Sequence, residues 1–248
     1  MQKIVLVTGA SRGIGFATAK LASKKGYSVC INYRQDKTAA EHLKQEIVEQ
    51  GGSAFVIQAD VSLESDVDQL FRTIKEEHGS LYGLINNAGV ITPQSKLVDM
   101  SYERLQRVFN INVIGSFLCA QAAVKQMSTD FGGSGGAIIN LSSAAARIGS
   151  PNEFIDYAAS KGAIDTMTIG LAKEVAEQGI RVNAVRPGLI KTDLHADAGD
   201  IDRPEKLKQH IPMKRAGTAE EVANAIVWLL SDEASYVTGT LMDVTGGR

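Results

Sequence analysis

Short apolar runs alternate with longer stretches in which apolar residues recur every three or four positions, along almost all of the 248 residues. Short runs are typical of buried strands, and the wider spacing is typical of helices with one buried face. The first such pair is the apolar run 4–7, followed by Ile14, Ala17, Thr18 and Leu21 at helical spacing. A glycine-rich turn separates the predicted strand from the predicted helix.

Seven apolar runs are predicted to be strands. They cover residues 4–7, 28–33, 54–58, 84–85, 137–141, 180–185 and 241–244. Helical spacing fills most of the intervening stretches, and the two longest helical regions are 102–127 and 156–178. This alternation predicts an α/β fold with a doubly wound parallel seven-stranded sheet and helices on both faces. Because no linker-like stretch divides the chain, residues 1–248 are expected to form a single domain.

Composition and charge narrow the possible partners. Hydrophobic residues make up 44% of the chain and charged residues 22%, with a formal net charge of −2, so no nucleic-acid partner is expected. No apolar run approaches the ~18 residues of a membrane span, and the first strand leaves no room for a signal peptide, so a cytoplasmic protein is expected. Cys30 and Cys119 lack C-x-x-C partners and are expected to be buried and reduced. The histidines have no metal-ligand spacing, so no metal is expected.

The turn at residues 8–15 has the pattern T-G-x-x-x-G-x-G. It lies between a strand and a helix start, where unpaired backbone N–H groups and the helix dipole attract phosphate. Three glycines often serve a turn alone, but the strand before and the helix after them favour a dinucleotide site. A Walker-type phosphate loop would end in G-K-[ST], and here Phe16 follows Gly15.

Two arginines predict which dinucleotide binds. An acidic residue commonly ends the second strand of NAD-binding folds, but this chain has Tyr33-Arg34 there, and Arg12 lies inside the glycine turn. Two guanidinium groups near one ribose suit a 2′-phosphate. NADP is therefore predicted over NAD, and the alternative is that both arginines are simply solvated.

Five polar side chains are candidates for the chemistry. Tyr157 and Lys161 are four residues apart on a predicted helix and share one face, where an ammonium would lower the high pKa of a phenol. Ser142 and Ser143 follow the fifth strand, and Asn112 falls on an apolar helix stripe. Taken singly, they have ordinary structural explanations: a chance pair on a helix, a strand-to-loop cap, and a buried amide bonded to backbone.

Together and in order, these features resemble the short-chain dehydrogenase/reductase family, from about residue 3 to the C-terminus. The matching pieces are the glycine turn, Asn86-Asn87-Ala88-Gly89, Asn112, Ser143, Tyr157-x-x-x-Lys161, Arg186-Pro187-Gly188 and residues 234–239. The chain looks most like bacterial glucose-1-dehydrogenase-like oxidoreductases, and next like 3-oxoacyl-acyl-carrier-protein reductases. The resemblance implies a single-domain Rossmann fold, a small-molecule substrate, and a homodimer or homotetramer paired through the two long helical regions, with a second contact at the C-terminal segment.

The resemblance also implies a role for each matching residue. Tyr157 would be the general acid/base, Lys161 would lower its pKa and bind the nicotinamide ribose, and Ser143 would polarise the substrate oxygen. Asn112 would hold a water that links Lys161 to solvent. The residues implied to bind the cofactor are Gly9, Ser11, Arg12, Gly13, Ile14, Gly15, Arg34, Asp60, Val61, Asn87, Ala88, Gly89, Tyr157, Lys161, Pro187, Gly188, Ile190 and Thr192.

The expected reaction is reversible hydride transfer between NADP(H) and a secondary alcohol or ketone, by a sugar-dehydrogenase-like enzyme or a carbonyl reductase. One alternative is a 3-oxoacyl-acyl-carrier-protein reductase, which would need a basic patch beside the pocket. Another is a catalytically silent dinucleotide-binding sensor or scaffold. Residues 189–213, rich in Gly, Asp and Pro, are expected to form a lid over the substrate. The Ser143-to-Tyr157 gap is one residue longer than the commonest family spacing, which places an extra residue in 149–156.

Overall fold

Seven parallel strands form one sheet in the computed structural model, which describes residues 2–248. The strands are β1 (Ile4–Val7), β2 (Ser28–Tyr33), β3 (Ser53–Gln58), β4 (Leu81–Asn86), β5 (Gly136–Leu141), β6 (Ile180–Pro187) and β7 (Leu241–Val244). Their order across the sheet is β3-β2-β1-β4-β5-β6-β7, so the chain builds outward from β1 and then crosses to β4 on its other side. The predicted doubly wound parallel sheet is confirmed.

Helices cover both faces of the sheet. Within the described residues they are α1 (Gly13–Lys24), α2 (Lys37–Glu49), α3 (Glu64–Thr73), α4 (Tyr102–Phe109), α5 (Gly115–Met127), α6 (Ala145–Ile148), α7 (Ile155–Glu174), α8 (Leu194–Asp197), α9 (Arg203–Leu207) and α10 (Ala219–Leu230). Successive residues of β1 face opposite cores, as the two-residue period of a strand requires. Val5 and Val7 belong to the core under α1, α2 and α10, and Ile4 and Leu6 to the core under α3, α5 and α7.

Two strand boundaries differ from the sequence expectation. β4 begins at Leu81 rather than residue 84, because Gly83 interrupts the apolar run. A Cβ at Gly83 would lie 2.6 Å from the side chain of Leu230, so glycine allows α10 to pack closely on the sheet. β6 extends to Pro187, which is paired with Val244 of β7.

The long helical region 102–127 contains a π-helical turn, Asn110–Ile114, between α4 and α5. Asn112 lies in this turn and is fully buried. By length and composition alone, Tyr102–Met127 could cross a membrane, with a mean hydropathy of 1.3 over its 18-residue window. Half of that window is buried inside the fold, however, which is the usual condition of a core helix.

Residues 189–213, the predicted lid and referred to below as the lid, are more regular than expected. They contain α8, α9 and a 3₁₀ turn, Lys208–His210. The start of the lid is fixed to the body of the fold, because the N–H of Lys191 donates to the Gly217 carbonyl and the N–H of Gly217 donates to the Leu189 carbonyl.

Both cysteines lie in the sheet-to-helix core, Cys30 on β2 and Cys119 on α5. Burial raises the pKa of both thiols, that of Cys119 to about 12. The prediction that they behave as small buried hydrophobic residues is confirmed.

Candidate active site

A cavity of about 700 Å³ opens at the carboxyl ends of the strands, where the strand order reverses between β1 and β4. It is lined by the loops after β1 to β6, by α7 and by the lid. The predicted site residues that line it are Gly9, Ser11, Arg12, Gly13, Ile14, Arg34, Asp60, Val61, Asn87, Ala88, Gly89, Ser143, Tyr157, Lys161, Pro187, Gly188, Ile190 and Thr192. Gly15 and Asn112 do not line it.

The glycine turn has the properties of an anion site. Arg12 is the N-cap residue of α1, no side chain caps the helix, and its first turn contains no acidic residue. The N–H of Phe16 bonds the Arg12 carbonyl, so the N–H groups before it have no intrahelical acceptor. Gly9 has a φ of +60°, and a Cβ there would lie 3.0 Å from the Cα of Ala88, so the turn requires glycine. An uncapped helix start at a cavity fits a pyrophosphate.

Gly15 lies where a side chain would collide with its neighbours. A Cβ at this position would lie 2.5 Å from Nδ2 of Asn87 and 2.8 Å from the Gly9 carbonyl oxygen. The Asn87 amide donates to the carbonyls of Thr8 at 2.8 Å and Gly9 at 3.0 Å. Gly15 therefore leaves space for the side chain that joins the loop after β4 to the glycine turn, and its contact with the cofactor phosphates stays a prediction.

Both arginines predicted to bind a 2′-phosphate line the cavity, and each faces a carboxylate. Nη1 of Arg34, after β2, lies 3.5 Å from Oδ2 of Asp60, after β3. The guanidinium of Arg12 donates to Asp197 on α8, and this bond, partly opposed by burial, raises the pKa of Arg12. The side chains of Arg34 and Arg12 are 41% and 49% exposed, so both are accessible from solvent.

The sequence pattern did not single out Asp36, which lines the same cavity three residues after the end of β2. Its carboxylate is the N-cap of α2 and accepts the N–H of Ala39 at 2.9 Å. An acidic residue just before a helix is a recognisable cap signal in the sequence, but that signal does not place it at a ligand site. The loop after β2 thus places a cationic side chain, Arg34, and an anionic one, Asp36, at the cavity.

Tyr157, Ser143 and Lys161 meet where β5 ends. The Ser143 hydroxyl lies close enough to the phenol of Tyr157 to lower its pKa, and the Ser143 oxygen accepts the N–H of Ala145 at 3.1 Å. Ser142 is buried, and its hydroxyl donates to the Lys161 carbonyl at 3.1 Å. Of the two serines, Ser143 is therefore the one beside the phenol.

Lys161 bonds a backbone carbonyl near the Tyr157 ring. Its Nζ donates to the Leu141 carbonyl oxygen at 2.6 Å and lies 5.7 Å from the centroid of the Tyr157 ring. Burial raises the pKa of Tyr157, and the nearby Ser143 hydroxyl opposes this effect only in part. Burial also lowers the pKa of Lys161 to about 8, against a smaller opposing effect of Asp165. In this arrangement burial therefore has the larger effect on the Tyr157 pKa, and the role of Lys161 in lowering it stays a prediction.

The side chain of Asn112 is fully engaged behind the cavity wall. Its Oδ1 accepts the N–H of Val90 at 2.8 Å, and its Nδ2 donates to the Val90 carbonyl at 2.9 Å and to the Ser160 hydroxyl at 3.1 Å. This clasp holds the segment after Gly89 against α7, beside Nζ of Lys161. Asn112 is therefore a buried amide bonded to backbone, as its ordinary structural explanation predicts. The water-holding role implied by the resemblance stays a prediction.

Three segments join at one side of the cavity: residues 90–95 after β4, residues 149–156, and the lid. Arg203 of the lid donates to both carboxylate oxygens of Glu153, at 2.8 and 2.6 Å. The Glu153 carbonyl in turn accepts the N–H of Ser95 at 3.0 Å. The loop that contains the extra residue is therefore fixed to both of its neighbours.

Thr92 and His195 also line the cavity, and nothing in the sequence pattern pointed to them. Thr92 lies in an irregular segment, and its hydroxyl oxygen has no hydrogen-bond partner among the described residues. His195 lies on α8, with its Nε2 2.8 Å from the Ile190 carbonyl oxygen. His195 lies in a stretch without periodic spacing, so the sequence does not predict which residues surround its side chain.

Comparisons with known proteins agree with this geometry. A family model described as "Enoyl-(Acyl carrier protein) reductase" matches residues 9–248. The chain is 55% identical over 245 residues to the uncharacterized oxidoreductase YgfF of Escherichia coli strain K12, covering 99% of both chains. It is 40% identical to glucose 1-dehydrogenase 2 of Bacillus subtilis strain 168, covering 99% of this chain and 94% of that one. It is 41% identical to a 3-oxoacyl-[acyl-carrier-protein] reductase of Synechocystis sp., covering 99% and 96%.

A solved structure extends the likeness to three dimensions. The crystal structure of the acetoin dehydrogenase YohF from Salmonella typhimurium is similar with a TM-score of 0.86 and 33% sequence identity. The match covers 100% of this chain and 97% of that one.

Proposed function

Because the chain belongs to the short-chain dehydrogenase/reductase family, whose enzymes use nicotinamide cofactors, we propose that it is an NADP-dependent oxidoreductase acting on a secondary alcohol or ketone. The observation that supports this best is that Ser143, Tyr157 and Lys161 line one cavity with the glycine turn. A protein that only senses or binds a dinucleotide has no use for a phenol beside a serine hydroxyl and a buried lysine at that place.

The residues around the cavity fit a phosphorylated dinucleotide. When bound, that cofactor supplies the hydride chemistry, and the chain supplies binding and orientation. The uncapped start of α1 would hold the pyrophosphate, and Arg12 and Arg34 would hold the 2′-phosphate. Asp60 and Val61 would contact the adenine, and Thr192 would hold the nicotinamide end.

Tyr157 and Ser143 would act on the substrate oxygen. With its raised pKa, Tyr157 is protonated at neutral pH, the state that donates a proton to a carbonyl oxygen. The Ser143 hydroxyl would donate a second hydrogen bond to that oxygen as negative charge develops on it. Lys161, with a pKa of about 8, is suited to exchange the proton onward, because both of its protonation states are accessible near neutral pH.

The charges of the lid argue against an acyl-carrier-protein substrate, although a relative is named for one. A carrier of acidic character would be attracted by a basic patch beside the pocket. Every Lys and Arg of the lid instead pairs with a carboxylate, and its five carboxylates outnumber its four Lys and Arg side chains. The paired cations are Lys191, Arg203, Lys206 and Lys208. A small-molecule ketone or alcohol is therefore favoured.

We also propose that the protein is a cytoplasmic homodimer or homotetramer. The helices α4 and α5 and the turn between them leave Phe109, Ile114 and Phe117 37–49% exposed, and Ile169 on α7 is 38% exposed. Since α4 packs against α7, these side chains lie on adjoining helices. Exposed large apolar residues on neighbouring helices favour pairing with a second copy through the same face. The reduced, buried cysteines fit a reducing compartment.

A substrate screen tests the proposal. Ketones and sugars are offered with NADPH or NADH, and alcohols with NADP or NAD, and turnover is followed by the nicotinamide absorbance. The matched variant is Tyr157→Phe, which keeps the ring and removes the hydroxyl. It should lose about 100-fold or more in kcat while NADPH binding, measured by fluorescence titration, changes little. A variant that kept more than about a tenth of the activity would exclude Tyr157 as the principal proton donor.

A silent sensor predicts a different result from the same screen. It would bind NADPH with normal affinity and turn over none of the compounds, in the wild type as well as in the variant.

A further inference from the structure

We propose that His195 is a specificity-determining residue whose Nδ1 accepts a hydrogen bond from a hydroxyl next to the reacting carbon. The enzyme would then prefer α-hydroxyketones and vicinal diols over plain ketones and alcohols. This inference rests on the proposed hydride-transfer function and names the substrate class for that same cavity.

The hydrogen bond to Ile190 determines which nitrogen of His195 carries the proton. A carbonyl oxygen can only accept, so Nε2 must donate to the Ile190 carbonyl at 2.8 Å. Burial lowers the pKa of His195, which keeps the ring neutral at pH 7. Nδ1 is then a bare acceptor. Within residues 2–248 it has no hydrogen-bond partner, and it is not sealed from solvent.

The position of the His195 ring is restrained by its bond to a carbonyl that belongs to the body of the fold. The Ile190 carbonyl lies between two backbone hydrogen bonds that join Leu189 and Lys191 to Gly217. The imidazole is therefore held at the root of the lid, in front of the cavity that it lines. An acceptor held in this way costs little further ordering when a ligand donates to it.

His195 and Asp197 of α8 both line the cavity but have different neighbours. His195 and Asp197 are two residues apart, which is about 200° around a helix. Asp197 bonds Arg12 of the glycine turn, whereas His195 is close enough to Arg203 for that charge to lower its pKa further. Arg203 bonds Glu153 in the loop 149–156. His195 is thus near Arg203 and the loop 149–156 that Arg203 contacts, the side of the cavity at which the proposed substrate would lie.

The charges around His195 favour a neutral, hydroxyl-bearing ligand. The two charged groups that act on it are Arg203, which bonds Glu153, and Asp200, which pairs with Lys206 at 2.6 Å. Each is neutralised by its partner, so neither offers a charge to a carboxylate or an amine. A substrate that brings an apolar chain against Nδ1 would leave that acceptor buried without a donor, whereas an α-hydroxyl group satisfies it.

Two substitutions separate specificity from lid anchoring. His195→Gln keeps an amide near the position of Nε2, where it can still donate to Ile190, and removes the acceptor at Nδ1. His195→Asn keeps an acceptor near the position of Nδ1 and loses the bond to Ile190. The control is His210→Gln, an exposed histidine of the same lid that does not line the cavity.

The measured quantity is the ratio of kcat/KM for 3-hydroxybutan-2-one to kcat/KM for butan-2-one, two ketones that differ by the α-hydroxyl group. The wild type and His210→Gln should favour the hydroxyketone by about tenfold or more, the usual effect of one well-placed hydrogen bond. In His195→Gln the ratio should fall close to one, mainly through a higher KM for the hydroxyketone, and His195→Asn should keep part of the preference.

The opposite pattern would overturn the inference. If His195 only anchors the lid, His195→Gln keeps the preference and His195→Asn loses activity on both ketones alike. A wild type that turns over ketones in the screen without favouring the hydroxyketone overturns it as well. A wild type that turns over nothing refutes the proposed function itself.

Discussion

The side chain of Lys161 is expected to destabilise the fold in which it acts. It is 5% exposed in α7, and its Nζ donates to the Leu141 carbonyl at 2.6 Å. Burial lowers its pKa from the ordinary 10.5 to about 8, so at neutral pH the amine is still charged in surroundings that disfavour its charge. Lys161→Met keeps the length of the side chain and removes the charge. The variant should therefore be more stable than the wild type and inactive.

The size of the effect follows from the two pKa values. The difference between 10.5 and about 8 corresponds to about 3 kcal/mol at neutral pH. Loss of the amine leaves the Leu141 carbonyl without that hydrogen bond, which costs about 1 kcal/mol. The net gain of about 2 kcal/mol should raise Tm by about 4–8 °C in a chain of this size.

The gain should also depend on pH in a defined direction. Because the folded pKa is the lower one, the unfolded chain binds more protons between about pH 8 and 10.5, and the wild type gains stability as pH rises through that window. The advantage of Lys161→Met should be full below pH 8 and small at pH 10. Chemical denaturation at pH 7 and pH 10 measures it, with Lys173→Met, an exposed lysine on the same helix, as control. A less stable variant, or an advantage that does not shrink with pH, would refute the reasoning.

Three further predictions concern the cofactor, the substrate oxygen and the assembly. Arg34→Asp removes a cation that would bind the 2′-phosphate and should lower the ratio of NADP to NAD affinity by about tenfold or more, measured by fluorescence titration; an unchanged ratio would contradict the assignment of NADP. Ser143→Ala should lower kcat by about 10²-fold with little change in Tm, whereas Ser142→Ala, which loses a buried hydrogen bond, should lower Tm; equal effects of both changes on kcat would refute the choice of Ser143. Phe117→Glu places a charge on the exposed face of α5 and should shift sedimentation toward the monomer. Sedimentation unchanged from the wild type would contradict a subunit contact at that face.

Most of the fold could be predicted from the hydrophobic pattern, because buried strands and amphipathic helices have different periods. The pattern failed where a packing requirement overrides it. In the sequence, Gly83 interrupts the apolar run, which suggests that the strand begins after it. In the structure Gly83 lies inside β4, and the residue is glycine because α10 approaches too closely for a side chain. The π-helical turn that contains Asn112 adds one residue to a helix without changing its composition. No local feature of the sequence therefore predicts this turn.

The site could be predicted as far as its residues lie at the ends of strands, since parallel strands bring their carboxyl ends to one edge. Its pairings could not be predicted. Arg12 bonds Asp197, which is 185 residues away in the lid, and Arg34 pairs with Asp60 across two strand ends. Such partners are set by how loops fold over the sheet edge, and neither spacing nor residue type along the chain specifies that arrangement.

Tyr157 and Lys161 show most clearly what spacing decides and what it does not. Four residues apart on α7, they do share a face and a cavity, as the helical period requires. The lysine is long enough to reach the Leu141 carbonyl at the end of β5, while the phenol lies beside the Ser143 hydroxyl. Burial then moves the two pKa values toward the neutral forms, upward for the phenol and downward for the amine. In the proposed mechanism, depth in the fold, rather than mutual attraction, therefore makes Tyr157 the group that holds a proton for the substrate and Lys161 the group that can exchange it near neutral pH.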